Sequence, residues 1–234
     1  MKYSVIFLDL DNTVYDFSAS SREAYGEVYR AMDYDCFFPS FDAYMALYET
    51  RNAELWTLYN AGRITKDELN AERYLHPLRV IGVEGAERIS QEFFHRAMKV
   101  LPTKGILIPH ALEALRYLRP RYRLFILSNG FAELQTRKMQ SAGIYDFFEG
   151  IVLSEDIGVN KPDRRLFDHA LRVAGVASAE ALMVGDDFDV DIAGAREAGW
   201  DQMYFARSRA ARPAPLPFVP TYEIHSLAEV PGWL

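Results

Sequence analysis

The chain has 234 residues, 50% hydrophobic and 25% charged, a balance that excludes a disordered or fibrous protein and allows one large domain or a core plus a smaller module. Its net charge of −7 argues against a broad surface for a nucleic acid polymer, so an anionic substrate would need locally concentrated positive charge or a metal. The single cysteine, Cys36, rules out an intrachain disulfide, and no run approaches the ~20 apolar residues of a membrane span. The apolar start, broken at Asp9, is too short for a signal peptide, and a soluble cytoplasmic protein, monomeric or weakly dimeric, is the expectation.

The first element is an apolar, β-favouring run from Tyr3 to Leu8 that leads into Asp9-Leu-Asp11-Asn-Thr13. It reads as a buried parallel strand, and alternation along a strand brings Asp9 and Asp11 out near each other at its carboxyl end. Two carboxylates so placed repel unless a cation joins them or one keeps its proton, although Asp-Asn alone also makes an ordinary turn.

Helical spacing follows. Ser18 or Ser20 is expected to cap a helix carrying Ala24, Tyr25, Val28, Tyr29 and Met32. Pro39-Ser-Phe-Asp opens a second helix that ends at Asn60-Ala-Gly62. Thr65-Lys-Asp-Glu68 is a capping box for a third, and a fourth runs from about Gly85 to Met98. The four together predict a small helical bundle over residues 16–99, with its aromatic residues as core.

Strand–helix alternation resumes after Pro102. Helices are expected from Pro109, over 131–142, 163–174 and 191–198; strands over 122–127, 150–153, 181–185 and 202–206. A proline-rich loop over 212–220 precedes a last short strand near Tyr222 and a helix. The fold class is α/β: a doubly wound parallel sheet from residues 1–15 and 100–234, with the helical block inserted after the first strand as a lid over the sheet's carboxyl end.

Polar signals fall at that end of the sheet: Asp9, Asp11 and Thr13; Ser128-Asn129; Lys161-Pro162; and Gly185-Asp186-Asp187 with Asp189 and Asp191. Each has a plain structural alternative as a turn, a solvated lysine or a solvated helix start; their joint occurrence does not. Asp9, Asp11 and Asp186 offer the hard oxygens that suit Mg²⁺. A carboxylate such as Asp9 can attack phosphorus, and Asp11 can protonate the leaving oxygen and then activate water. Lys161 adds a point charge, and Ser128 with nearby backbone N–H groups adds hydrogen bonds.

Asp9-x-Asp11-x-Thr13-Val, Ser128-Asn129, Lys161-Pro162 and Gly185-Asp186-x4-Asp191 resemble the four motifs of the haloacid dehalogenase superfamily in its phosphatase form. The resemblance implies a Rossmann-like core with an inserted cap, Asp9 as nucleophile and Asp11 as general acid/base. It also implies a Mg²⁺ held by Asp9, the main-chain carbonyl of Asp11 and Asp186, supported by Asp191 and Asp187. Thr13 would set the nucleophile loop and join Ser128 and Asn129 at the phosphate. Dehalogenases of the superfamily lack a carboxylate at the position of Asp11, which argues against dehalogenation here. Phosphonate-cleaving members need a cap lysine, and Lys66 and Lys99 stand in no convincing context for one.

The segment Asn52-Ala-Glu-Leu-Trp56…Tyr59-Asn-Ala-Gly62-Arg-Ile-Thr65…Arg73, with Ser128-Asn-Gly-Phe131, resembles bacterial 5′-nucleotidases that act on pyrimidine or non-standard nucleoside monophosphates. This makes Phe17, Asn52, Trp56 and Arg73 the candidates for contact with the leaving group, with Trp56 alternatively part of the cap core. The partner expected is a small phosphorylated metabolite. A sugar-phosphate phosphatase, a phosphoglucomutase-like enzyme and a non-catalytic phosphate-binding protein are the alternatives. The last would be signalled by loss of Asp9, Asp11 or Lys161, and all three are present.

Overall fold

The computed structural model describes residues 2–207 and 215–234. Six strands, β1 (Val5–Leu8), β2 (Arg123–Ser128), β3 (Gly150–Leu153), β4 (Ala181–Gly185), β5 (Asp201–Phe205) and β6 (Tyr222–Ile224), make one sheet in the order β3-β2-β1-β4-β5-β6. All pairs are parallel; Phe7 of β1 lies opposite Phe125 of β2 on one side and Met183 of β4 on the other. The strand order reverses on either side of β1, the place in an open α/β sheet where loops part and a ligand can enter.

Alternation divides the apolar runs between two faces. Ile6, Leu8, Leu124, Ile126, Leu182 and Val184 enter one buried cluster, and Val5, Phe7, Phe125, Leu127, Ala181 and Met183 enter the other. A sheet covered on both faces requires this unbroken hydrophobicity. In the second cluster the Trp200 ring packs 4.7 Å from Phe7 and 5.4 Å, edge-on, from Phe167.

The chain divides into two compact units, one comprising residues up to Phe17 and from Gly105 onward, the other Ser18–Lys104. Four helices carry the second: α1 (Phe17–Ala31), α2 (Phe41–Asn60), α3 (Lys66–Val80) and α4 (Ala86–Val100). Ser40 accepts from Ala43 N at the start of α2, and Thr65 and Glu68 form the reciprocal capping box of α3. Ser18 and Ser20 do not cap α1, which already begins at Phe17; Ser20 Oγ donates instead to the Lys104 carbonyl at 3.1 Å. A 3₁₀ turn, Leu101–Thr103, follows α4 before this unit ends at Lys104.

The interior of this unit is phenolic. Tyr25, Tyr34, Tyr44, Tyr48 and Tyr74 are buried and pack, mostly edge-on or tilted, around Phe93.

In the other unit the helices are α5 (Ala111–Leu118), α6 (Ala132–Ser141), α7 (Arg164–Ala174), α8 (Ala193–Glu197) and α9 (Val230–Trp233). Pro109 does not begin α5: His110, at φ 66, lies between them in the left-handed region, and its carbonyl takes the first helical bond from Ala114. The helix expected from Asp191 is preceded by a wide π turn, Phe188–Ile192, with α8 after it. The proline-rich loop over 212–220 lies partly outside the described residues. Among those residues no helix is long and apolar enough to cross a membrane.

Candidate active site

Asp9 leaves the end of β1 with its N–H on the Val184 carbonyl, so β4 fixes the first carboxylate directly. The loop then turns back on itself: Val14 N and Tyr15 N both donate to the Leu10 carbonyl, and Asn12 sits at φ 66. Asparagine is one of the few side chains that tolerate that region, which explains its place between Asp11 and Thr13.

Lys161 is the hub. The residue is 1% exposed, and its ammonium donates to Asp9 Oδ1 (2.8 Å), Asp191 Oδ1 (2.6 Å) and the Leu127 carbonyl (2.8 Å). Three acceptors match three protons. Burial works against its charge, but Asp191 and Asp9 more than restore it, and the amine is held protonated above its ordinary range. The solvated-lysine alternative is thereby excluded.

Asn129 secures this arrangement. Its side chain takes the Lys161 N–H at 2.8 Å and returns its own Nδ2–H to the Lys161 carbonyl at 3.0 Å. The Asn129 amide, expected among the phosphate-binding groups, has its oxygen and one N–H engaged on the lysine's backbone. Ser128 Oγ, 2% exposed, accepts from Gly130 N (3.0 Å) and Gln135 Nε2 (2.8 Å), so its proton is what it can offer a ligand. Thr13, also expected at the phosphate, lies between carboxylates, 3.1 Å from Asp186 Oδ1 and 3.5 Å from Asp9 Oδ2.

Asp186 follows β4, and carboxylate oxygens of Asp9, Asp186 and Asp191 fall within 4.8 Å of one another. Burial pushes Asp186 up from 3.8 to about 7, with the charge of Asp9 adding to it. Burial raises Asp9 as well, against the pull of Lys161. One ammonium thus faces three crowded carboxylates, and a hard divalent cation fits the negative charge left over.

Within this set Asp191 has both oxygens engaged, Oδ1 by Lys161 and Oδ2 by Asp187 N–H at 3.2 Å. It is 1% exposed rather than a solvated helix start. A Cβ at Gly185 would meet Asp191 Oδ2 at 2.3 Å, so glycine there gives the carboxylate its room. Asp187, expected as metal-site support, is exposed and caps the π turn through Asp189 N and Val190 N.

The Asp11 carboxylate faces elsewhere. Lys138 Nζ lies 2.9 and 3.1 Å from its two oxygens, and Gln135 Nε2 donates to Oδ2 at 3.1 Å. Neither α6 residue was anticipated. Helical spacing puts Gln135 and Lys138 on one face, but only the fold reveals that this face meets Asp11.

Of the four residues expected to touch a leaving group, one belongs to the α/β unit and three to the helical unit. Phe17 belongs to the α/β unit, its ring 4.9 Å from Lys138 Nζ. Asn52 and Trp56 lie one turn apart on α2, both half-buried, with Trp56 edge-on to Tyr59. Arg73 is 3% exposed; its Nη2 donates to Asn70 Oδ1 at 2.5 Å, its guanidinium stacks 5.0 Å from the Tyr74 ring, and its Nε has no partner. Hydroxyls of Tyr74, Tyr25 and Tyr48 form a chain (3.0 and 3.1 Å) that reaches Asn52 Oδ1 at 3.5 Å.

A buried aspartate at the end of the central strand, an ammonium bonded to it and two further carboxylates beside them make one compact charged site at the carboxyl end of the sheet. The model of the haloacid dehalogenase-like hydrolases matches residues 3–199, and the chain belongs to that family. It is 31% identical over 231 residues to the pyrimidine 5′-nucleotidase YjjG of Escherichia coli, covering 98% of this chain and 97% of the relative. The pyrimidine 5′-nucleotidase PynA of Streptococcus pneumoniae is 26% identical, with 98% and 94% covered. The solved HAD-hydrolase YfnB of Bacillus subtilis, bound to magnesium, superimposes with a TM-score of 0.84 at 27% identity, covering 98% of this chain and 97% of its own.

Proposed function

We propose that the protein is a Mg²⁺-dependent phosphomonoester hydrolase acting on nucleoside 5′-monophosphates through an aspartyl-phosphate. The observation that carries the chemistry is the division of labour between two carboxylates two residues apart: Asp9 is bonded to Lys161, Asp11 to Lys138. The relatives named pyrimidine 5′-nucleotidases support the substrate class.

Asp9 attacks phosphorus, and the bond to the leaving oxygen breaks with its electron pair while Asp11 delivers a proton to that oxygen. Water then attacks the aspartyl-phosphate, gives a proton back to Asp11, and the bond to Asp9 breaks to release phosphate. The sum is ester plus water giving alcohol plus phosphate. As the Asp9 charge is lost in the ester, Lys161 can turn the bond it made to Asp9 toward a phosphoryl oxygen, and Ser128 donates its proton to another. Asp9 and Asp186, with the main-chain carbonyl of Asp11, would hold Mg²⁺, while Asp191 braces Lys161. When bound, the ion supplies positive charge that offsets the negative charge building on the transferring group. Arg73 and Asn52 read the leaving group.

The test is hydrolysis of a panel of nucleoside monophosphates and sugar phosphates with Mg²⁺ and with EDTA. Highest kcat/KM on a pyrimidine or non-standard 5′-monophosphate, lost on chelation, is expected. Preference for sugar phosphates would overturn the substrate class, and full activity after chelation would overturn the metal.

A further inference from the structure

Lys138 and Gln135 sit on the face of α6 that follows Ser128-Asn129-Gly130, and both are buried, 3% and 0% exposed. An ammonium is costly to bury without a partner. Among the described residues Asp11 is the acidic partner of Lys138, and the rings of Tyr15 and Phe17 cover it at 5.6 and 4.9 Å. Gln135 Nε2 donates both its protons, one to Asp11 Oδ2 (3.1 Å) and one to Ser128 Oγ (2.8 Å). Its oxygen is left buried and without a partner. A stranded buried acceptor costs stability, and this amide bears that cost while its donors serve two groups of the site at once. The chain also makes room for it: a Cβ at Gly130 would stand 1.9 Å from Gln135 Nε2.

We infer that Lys138 and Gln135 are positioning residues for the reaction, fixing the Asp11 carboxylate where it meets the leaving oxygen and tying it through one amide to Ser128. The inference rests on the reading of Asp11 as the acid/base. A carboxylate held on both oxygens by one ammonium and on one of them by an amide has little rotational freedom, and proton transfer in either direction depends on the carboxyl group lying within hydrogen-bond reach of the leaving oxygen and of the water that follows it. Lys138 and Gln135 therefore act through Asp11 and need not touch substrate.

The experiment compares a leaving group that needs a proton with one that does not. Uridine 5′-monophosphate releases an alkoxide that must be protonated; p-nitrophenyl phosphate releases a stable phenolate. Both substrates still need Asp11 to activate water in the second step. Lys138→Met should lower kcat on the nucleotide at least ~10-fold with KM little changed, a fraction of the ~10² or more expected for the acid/base itself. On p-nitrophenyl phosphate the first turnover should survive while later turnovers slow, which appears as a burst of one nitrophenolate per enzyme. Lys138→Arg should restore the nucleotide rate, and Gln135→Leu should give a weaker version of the same split.

Asp11→Asn, run beside them, separates the two ideas. Absence of the burst and of leaving-group dependence in Asp11→Asn would remove the acid/base reading itself. Their presence in Asp11→Asn, with Lys138→Met and Gln135→Leu like the parent on both substrates, would overturn the positioning roles alone. Equal losses on the first turnover of both substrates would also overturn them, as damage to the fold. If Lys138→Met does not fold, Gln135→Leu decides by the same ratio.

Discussion

In the α/β unit the sheet is flanked by mainly apolar clusters, and buried ammonium groups gather at the carboxyl end of the strands, each bonded to carboxylate: Lys161 to Asp9 and Asp191, Lys138 to Asp11. In Ser18–Lys104 the interior is built from tyrosines, and it leaves the Tyr34 and Tyr44 hydroxyls and Arg73 Nε without partners. The first arrangement fixes charge in place, as bond-making at one atom requires. The second buries a guanidinium among phenol rings and leaves some of its hydrogen-bonding capacity unmet. If, as proposed, the first unit carries the chemistry and the second the selectivity, the two should fail separately.

The largest expected effects strike the fixed charges. Asp9→Asn should abolish turnover, by on the order of 10⁴-fold or more, with the thermal midpoint kept, because an amide cannot replace the nucleophile. Near-parental kcat in that variant would break the comparison at its root. Lys161→Ala should cost at least ~100-fold in kcat/KM, and Asp11→Asn a comparable amount on a nucleotide.

Metal binding should show the same crowding as a pH effect. Asp186 is raised from 3.8 to about 7, so in the metal-free protein its stability contribution is complete below about pH 4 and is lost as pH rises toward 7. Mg²⁺ relieves the ionised carboxylates, and its stabilisation of the thermal midpoint should be larger at pH 8 than at pH 5, where a proton competes. An equal shift at both values would say that the acidic cluster is not the binding site.

A smaller and more selective effect belongs to the helical unit. Asn52→Ala and Arg73→Ala should lower kcat/KM for a nucleotide about 10-fold or more while largely sparing p-nitrophenyl phosphate. Equal effects on both substrates would erase the division between chemistry and recognition. The smallest is Thr65→Ala, which removes the capping box of α3 and should cost about 1 kcal/mol of stability with kcat unchanged.

The sheet was legible because its strands are apolar runs, and β1, β2 and β4 each end at a polar motif, so those motifs fall at one end of a parallel sheet. Asp9, Lys161 and Asp186 could be paired on that basis. Asn129 could not, since its role on the Lys161 backbone depends on two loops meeting 32 residues apart in sequence. Gln135 and Lys138 carried a faint signal: a glutamine and a lysine three apart on a helix opening just beyond Gly130. Nothing in the linear pattern says which strand end that face approaches. The cap of α1 was misplaced because serines at 18 and 20 look like caps whether or not the helix has already begun at Phe17.

The three tryptophans happen to report on different places. Trp200 is locked between Phe7 and Phe167 beside the sheet, Trp56 lies half-covered on α2, and Trp233 is 53% exposed near the end of the chain. Their emission should therefore differ in colour, blue for Trp200 and red for Trp233. Single-tryptophan versions of the protein, with phenylalanine at the other two positions, would give each unit its own optical readout. Denaturant titrations of the Trp200 and Trp56 versions would then reveal whether the phenolic bundle melts with the sheet or before it.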